Sequence, residues 1–210
     1  QTANFLGMNL KLFSVGATTF PPVRKYQKSH KERDLKSVND MRFVEKELYR
    51  EIKEGDIILL SMRMPYHFGG VYYAYLHSEL RFISEDGSFD SQENSFKNWG
   101  LAVVNLAKFA QKKGAKVIIQ TPTPEWENQY RNPRCSTLDK QWFNSLAKIN
   151  CQIQSNFFID KATGLYNHIF EKLNQLSRSH ENIYLFDTYK IVCPDSTCKF
   201  TDDGIDIYED

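Results

Sequence analysis

The chain has 210 residues, which is enough for one sizeable domain with a buried core. Hydrophobic residues make up 41% and charged residues 25%, as is ordinary for a globular protein. The 27 Lys and Arg residues nearly balance the 26 Asp and Glu residues, and a net charge of +1 argues against a protein that captures nucleic acid electrostatically. No apolar run approaches the about 18 residues that a membrane-spanning helix requires.

Apolar patterns of two kinds alternate along the chain. Short runs rich in β-branched residues predict buried strands, and stripes with spacings of three and four residues predict amphipathic helices. In chain order these are a weak strand at 11–15, a helix at 37–53, a strong strand at 56–61, a helix at 92–113, a strong strand at 116–121, a helix at 160–177 and a weak strand at 182–187. The basic run at 25–36 (KYQKSHKERDLK) is predicted to be a solvated loop, with contact to an anionic partner as the alternative.

The β-α-β-α-β-α-β order predicts a three-layer α/β/α fold with a mostly parallel, flavodoxin-like sheet. In such a sheet, ligands bind beyond the carboxyl ends of the strands. Residues 127–155 are predicted to form an irregular insertion, and no second domain boundary appears, so 1–210 is predicted to be a single domain. Because residues 2–7 already have a helix-like pattern, the first strand is expected upstream of Gln1. The domain is therefore expected to be incomplete at both ends.

Four cysteines are present, namely Cys135, Cys151, Cys193 and Cys198, and they allow three pairings. The pairs closest in sequence are Cys135–Cys151 and Cys193–Cys198. Neither pair has the two-residue gap of a zinc knuckle, and no histidine lies nearby, so disulfides are favoured over a metal site or free thiols. Disulfides would imply an oxidising compartment.

Familiar cofactor and nucleophile motifs are absent from the sequence. It contains no glycine-rich dinucleotide fingerprint, no phosphate loop, no H-E-x-x-H metal helix and no G-x-S-x-G elbow, so neither a cofactor nor a metal is predicted. Of the five histidines, His67 is the best placed, because it follows a predicted strand. A histidine at such a position is either a hydrogen-bonded structural residue or a base. By itself the chain contains no complete nucleophile–base–acid set.

Segments that follow the predicted strands carry a family resemblance. They are residues 16–22 (GATTFPP), 59–63 (LLSMR), 117–124 (VIIQTPTP), and the end of the chain from CPDSTC at 193–198 to YED at 208–210. In order and content they resemble SGNH (GDSL-type) hydrolases. They are most similar to the SGNH domain fused to the family-three membrane acyltransferases, which O-acylate bacterial surface glycans.

The resemblance implies roles for particular residues. Asp210 fits the triad aspartate, which in this family follows a cysteine loop and a short hairpin and precedes the catalytic histidine by three residues. The Gly-Asp-Ser nucleophile is expected just upstream of Gln1, so both the serine and the histidine are expected outside this chain. Gly16 matches an oxyanion-hole glycine, and Arg63 or its neighbours occupy the position of the usual asparagine. Each residue also has a plainer alternative. Gly16 would then be only a turn glycine, Arg63 would only pair with a carboxylate, and Asp210 would be a solvated loop residue.

The resemblance also implies a function and partners. The domain would accept an acyl group, in the first place acetyl, from a membrane domain of the same polypeptide and transfer it to a sugar hydroxyl through an acyl-serine. This predicts a periplasmic or extracytoplasmic domain that is tethered to the inner membrane. Tyr66 and His67 are the candidate substrate-binding residues. The aromatic cluster Tyr66, Phe68, Tyr72, Tyr73 and Tyr75 is either a stacking surface for a sugar or a stripe that packs into the core. The alternatives are a glycan O-acetylesterase and a non-catalytic glycan-binding module.

Overall fold

The computed structural model describes residues 11, 19–22, 25–27, 31–62, 64–68, 80–82, 91–122, 152–154, 163–195, 197–199, 201–202 and 205–206. In chain order the described elements are β1 (Lys25–Gln27), α1 (Lys31–Glu51), β2 (Ile57–Leu60), α2 (Met64–Phe68), β3 (Leu80–Phe82), α3 (Gln92–Lys112), β4 (Lys116–Gln120), β5 (Gln152–Gln154), α4 (Thr163–Ser179), β6 (Ile183–Phe186), α5 (Thr188–Val192), β7 (Thr197–Lys199), β8 (Thr201–Asp202) and β9 (Ile205–Asp206).

The main sheet is parallel, with the strand order β2-β4-β6. The chain passes from β2 to β4 through α3 and from β4 to β6 through α4, so both crossovers step in the same direction across the sheet. Right-handed crossovers that step in the same direction place their helices on the same face. The structure agrees, because side chains of α3, α4 and all three strands share one core. The predicted α/β fold with a parallel sheet is confirmed.

The core fills the space between this sheet face and the two crossover helices. Alternate strand residues point toward it, as the two-residue period of a strand requires. Each fully buried large apolar side chain contributes roughly 1.5–3 kcal/mol relative to exposure, so this layer supplies much of the folding free energy. The largest fully buried apolar side chains include Trp99, Met64, Leu106, Ile119, Ile169 and Leu173.

The opposite sheet face carries the other half of each strand. Ile57 and Leu59 on β2 are 47% and 55% exposed, and Tyr184 and Phe186 on β6 are 43% and 44% exposed. The register places Ile118 of β4 between Leu59 and Tyr184, so these side chains form one apolar strip across the three strands.

Tight turns hold the amino ends of β2 and β4 together. Gly55 and Gly114 have positive φ values of 83° and 74°, and the Gly55 N–H donates to the Gly114 carbonyl at 3.0 Å. The Lys116 N–H donates to the Asp56 carbonyl at 2.9 Å. A Cβ at Gly114 would lie only 2.8 Å from Cγ of Glu54, so the chain approaches itself closely here. Glycine is required at Gly114 both for its φ and for this contact.

The structure differs from the sequence predictions in the smaller elements. The basic run at 25–36 is not a loop: residues 25–27 form β1, antiparallel to β3, and α1 already begins at Lys31. Lys, Glu and Arg are good helix formers, so the helix extends beyond the amino end of its apolar stripe. The insertion at 127–155 includes strand β5, which pairs antiparallel with β7. The predicted strand at 11–15 and the helix-like segment at 2–7 lie outside the described residues, apart from position 11.

Candidate active site at the carboxyl edge of the sheet

The parallel register brings the carboxyl ends of the three main strands to one edge. Leu60 pairs with Ile119, and Gln120 pairs with Phe186. The segments 61–62, 121–122 and 187–188 therefore leave the sheet side by side. This is the edge where sheets of this type bind their ligands.

The segment at 19–22 is buried and is anchored to α3. Thr19 is fully buried, Pro21 is also buried, and the Phe20–Pro21 peptide bond is cis. The indole N–H of Trp99 on α3 donates to the Phe20 carbonyl at 3.1 Å. Gly16, the predicted oxyanion donor, precedes this segment in sequence and lies outside the described residues.

Helix α2 starts almost directly after β2. The Met64 N–H donates to the Met62 carbonyl at 3.0 Å, which makes a tight turn into the helix. Met64 and Phe68 are buried in the core, so the helix is fixed at both ends. His67 is only 7% exposed, and its ring centroid lies 6.2 Å from that of Phe68. The predicted binding role of His67 is thus limited to a small accessible part of its side chain.

The other predicted residues around α2 remain predictions. Tyr66 has its backbone in α2, but its side chain lies outside the described residues. Arg63, the second predicted oxyanion donor, immediately precedes the helix and is also outside them.

Two buried threonines join the ends of β4 and β6. The Thr188 N–H donates to Oγ1 of Thr121 at 3.2 Å, and the Thr188 hydroxyl donates to the Thr121 carbonyl at 3.0 Å. The Thr121 N–H donates to the Phe186 carbonyl at 2.9 Å, which extends the ladder by one bond. No sequence pattern indicates this pair: Thr121 belongs to the segment at 117–124, but its partner lies 67 positions away and outside the segments singled out in the sequence.

The segment from Asp187 to Cys193 comes before the part of the chain that is predicted to carry the triad aspartate. The Asp187 carboxylate caps α5 by accepting from the Lys190 N–H at 3.3 Å. Cys193 ends this helix; it is buried and disulfide-bonded. Its pairing with Cys198 stays a prediction, since the Cys198 side chain lies outside the described residues, as do Cys135 and Cys151.

Strand β7 and the β8–β9 hairpin follow this segment. The hairpin is antiparallel, with Thr201 paired to Asp206. The resemblance predicts a short hairpin between the cysteine loop and the triad aspartate, and the hairpin is present at that place. Asp210 itself lies outside the described residues, so its role stays a prediction.

In the part of the chain that the structure describes, the side chains whose pKa clearly departs from its ordinary value lie on α1. Burial raises the pKa of Tyr49 to about 12, and the neighbouring Glu45 carboxylate adds to the effect. Burial likewise raises the pKa of Glu45. A hydrogen bond from Lys11 lowers the pKa of Glu51, which ends α1 and precedes the amino end of β2. These shifts belong to helix packing and to the edge opposite the candidate site.

Within the described ranges, no group of three or more His, Cys, Asp or Glu side chains is arranged to hold a metal ion. None of the helices that the structure describes has the length and apolar character needed to cross a membrane.

Fold and site together define an α/β protein with a parallel sheet, and the segments after β2, β4 and β6 form its candidate ligand-binding edge. Comparison with protein families is more specific. Residues 4–210 match the SGNH domain (fused to AT3 domains), and the chain belongs to this family. No curated protein and no solved structure matches the chain. The fusion supports, in broad terms, a role in acyl modification of glycans, and it suggests an acyltransferase domain in the same polypeptide and a membrane-tethered parent protein.

Proposed function

We propose that the chain is the body of a serine-type O-acyltransferase domain that acts on bacterial surface glycans, with acetyl as the expected acyl group. The observation that carries this proposal is the family match over residues 4–210. The proposal assigns the nucleophilic serine and the histidine to sequence flanking residues 1–210. It places the domain on the periplasmic side of the inner membrane, with the AT3 domain as acyl donor.

The proposed reaction has two acyl transfers. The serine Oγ attacks the carbonyl carbon of the donor while the histidine accepts the hydroxyl proton. The bond between the acyl carbon and its carrier then breaks, and the carrier leaves with that proton. A sugar hydroxyl then attacks the acyl-serine and gives its proton to the histidine. The proton returns to the serine as the new ester forms. Asp210 would hold the imidazole in the required tautomer and stabilise its protonated form.

In this scheme each tetrahedral intermediate carries a negative oxygen that needs preset donors. The Gly16 N–H and the Arg63 guanidinium are the proposed donors. Support for Arg63 comes from the chain order, because it lies between β2 and the buried start of α2. Gly16 is assigned by the family resemblance, and the segment at 19–22 that follows it in sequence is held by Trp99.

The test uses the parent polypeptide and a matched pair of carboxylate variants. Asp210→Asn is expected to lower kcat for small acetyl esters about 10⁴-fold, because the histidine loses its orienting partner. Asp187→Asn is the control, since Asp187 follows β6 at the same edge and asparagine also caps helices well. The control is expected to keep kcat within about twofold, because its cap is preserved.

Several outcomes would overturn the proposal. One is a parent protein that neither hydrolyses acetyl esters nor reacts with a serine-directed phosphonate. Another is an equal effect of Asp210→Asn and Asp187→Asn on kcat. Adding a glycan acceptor separates the two enzymatic functions: acetylated glycan supports transfer, whereas free acetate alone indicates the esterase. Glycan binding by a protein without serine reactivity would indicate the binding module.

A further inference from the structure

The apolar strip lies on the sheet face opposite α3 and α4. It runs from Leu59 on β2 across Ile118 on β4 to Tyr184 on β6, with Ile57 and Phe186 flanking it. Leu59 is 55% exposed, and Tyr184 and Phe186 are 43% and 44% exposed, whereas the core face of β2 and β4 is buried. Contiguous exposed apolar surface of this kind marks a contact site. The strip is therefore expected to have a partner.

The contacts of Lys11 and α1 show where the beginning of the chain approaches the sheet. The Lys11 ammonium donates to a carboxylate oxygen of Glu51, the last residue of α1. A tight turn at 53–56 joins α1 to β2, so Lys11 is held near the amino edge of β2. α1 itself lies on the core face, because Tyr49 packs against the core and edge-on against Phe109 of α3. The core face beside α3 is therefore occupied by α1.

Residues 1–10 (QTANFLGMNL) have the composition of a segment that packs against apolar surface. They contain no charged residue, although charged residues make up 25% of the chain. Ala3, Leu6 and Leu10 recur at spacings of three and four, which is the period of one helix face. A helix of ten residues is about 15 Å long and about 10 Å wide with its side chains. The strip measures about 10 Å across three strands and about 7 Å along them, so one such helix is large enough to cover it.

We propose that residues 1–10 dock as a helix on the apolar strip and form the second helical layer of the sheet. Lys11 holds the carboxyl end of this segment at the amino edge of β2, and α1 occupies the other face at that place. An uncharged segment and an uncharged strip match each other, because burying a charge against either would be costly. Lys116 borders the strip, with Nζ 5.7 Å from the centroid of the Tyr184 ring, and its long side chain keeps the ammonium in water. This inference does not depend on the proposed acyl-transfer function.

Thiol labelling of the parent polypeptide tests the docking. One leucine at a time is replaced by cysteine, and the rate of reaction with a water-soluble maleimide is measured without reductant, so that disulfides stay closed. Leu59→Cys reports on the strip. Leu101→Cys is the matched control, because Leu101 on α3 is 56% exposed against 55% for Leu59. Burial of one leucine is worth roughly 10- to 100-fold in an equilibrium constant. Leu59→Cys is therefore expected to react at least about 10-fold more slowly than Leu101→Cys, because labelling follows the open fraction.

A charge placed in the segment tests whether residues 1–10 provide the protection. Leu6→Asp, added to each cysteine variant, is expected to raise the labelling rate of Leu59→Cys roughly 10-fold or more and to leave that of Leu101→Cys unchanged. Leu173→Cys reports on global unfolding, because Leu173 on α4 is fully buried in the core, and it is expected to stay unreactive. If Leu6→Asp also exposes the cysteine at position 173, the milder Leu6→Ala takes its place.

Each result decides the question. Protection of Leu59→Cys that a change at Leu6 relieves, with the core cysteine still unreactive, supports the docking. Labelling of Leu59→Cys at the rate of Leu101→Cys overturns it, because the strip is then open to water. Protection that neither change at Leu6 relieves also overturns it and indicates another occupant. In that case, protection that falls when the solubilised parent is diluted indicates a second copy, and protection that is independent of concentration indicates another part of the parent.

Discussion

Replacing Gly114 with alanine perturbs the edge of the sheet that lies opposite the candidate site. The backbone there has φ +74°, which costs an L-residue roughly 1–2 kcal/mol. The new Cβ would lie 2.8 Å from Cγ, 3.3 Å from Cβ and 3.4 Å from Cα of Glu54. Carbon atoms in favourable contact are about 3.5–4.0 Å apart, so overpacking adds about 1–3 kcal/mol. Gly114→Ala is expected to lower the free energy of unfolding by roughly 2–5 kcal/mol.

Gly55→Ala separates the two contributions. Gly55 also has a positive φ, but a Cβ there meets no atom within 4 Å, so only the backbone cost of about 1–2 kcal/mol applies. Urea denaturation followed by far-UV circular dichroism measures both variants. Equal losses would refute the reasoning, because they would mean that Glu54 moves aside at no cost. Neither variant is expected to change kcat of the parent, and a loss of kcat would contradict the assignment of the chemistry to the carboxyl edge.

Two further predictions concern a buried threonine and a tyrosine. Thr121→Val leaves the buried Thr188 N–H without its acceptor and is expected to lower the free energy of unfolding by about 1–3 kcal/mol. Thr121→Ser keeps the acceptor and loses only a methyl group, which costs about 1 kcal/mol. If urea denaturation shows that the valine variant is no less stable than the serine variant, this expectation is contradicted. The folded-state pKa of Tyr49 is raised from 10.0 to about 12, so the folded protein holds this proton more tightly than the unfolded chain. The resulting stability is fully present below about pH 10 and is lost as pH rises to about 12. Over that range the free energy of unfolding of Tyr49→Phe is expected to decline less steeply with pH than that of wild type. Parallel plots of unfolding free energy against pH would refute the assignment.

The main elements of the fold could be predicted because their signals are local. The run Ile57–Leu60 consists entirely of apolar residues, and Lys116–Gln120 is nearly as apolar, so neither suits a solvated loop. The stripe in Gln92–Lys112 has the helical period and ends at a glycine turn. In contrast, Lys25–Gln27 is a three-residue polar strand that exists only because Leu80–Phe82 pairs with it. No pattern within such a segment indicates its partner.

The candidate site, like the fold, could be predicted only where its signals are local. The carboxyl edge of the sheet followed from the strand order alone, since the ends of parallel strands meet. The contacts that fix this edge and the segment at 19–22 did not follow, because the Trp99–Phe20 bond and the Thr121–Thr188 pair join positions far apart in sequence. Trp99 has the helical spacing of a core residue, but this spacing does not indicate which group accepts the hydrogen bond from its indole N–H.

The buried position of Trp99 also gives the domain a built-in optical reporter. An indole packed against the rings of Phe68 and Phe96 emits at shorter wavelength than one in water, and opening of this three-ring cluster would shift its emission to the red. The chain has three tryptophans, so replacing Trp126 and Trp142 with phenylalanine would leave a single emitter. Its fluorescence would then follow the junction between the Phe20 loop and α2 in real time, during turnover as well as during unfolding.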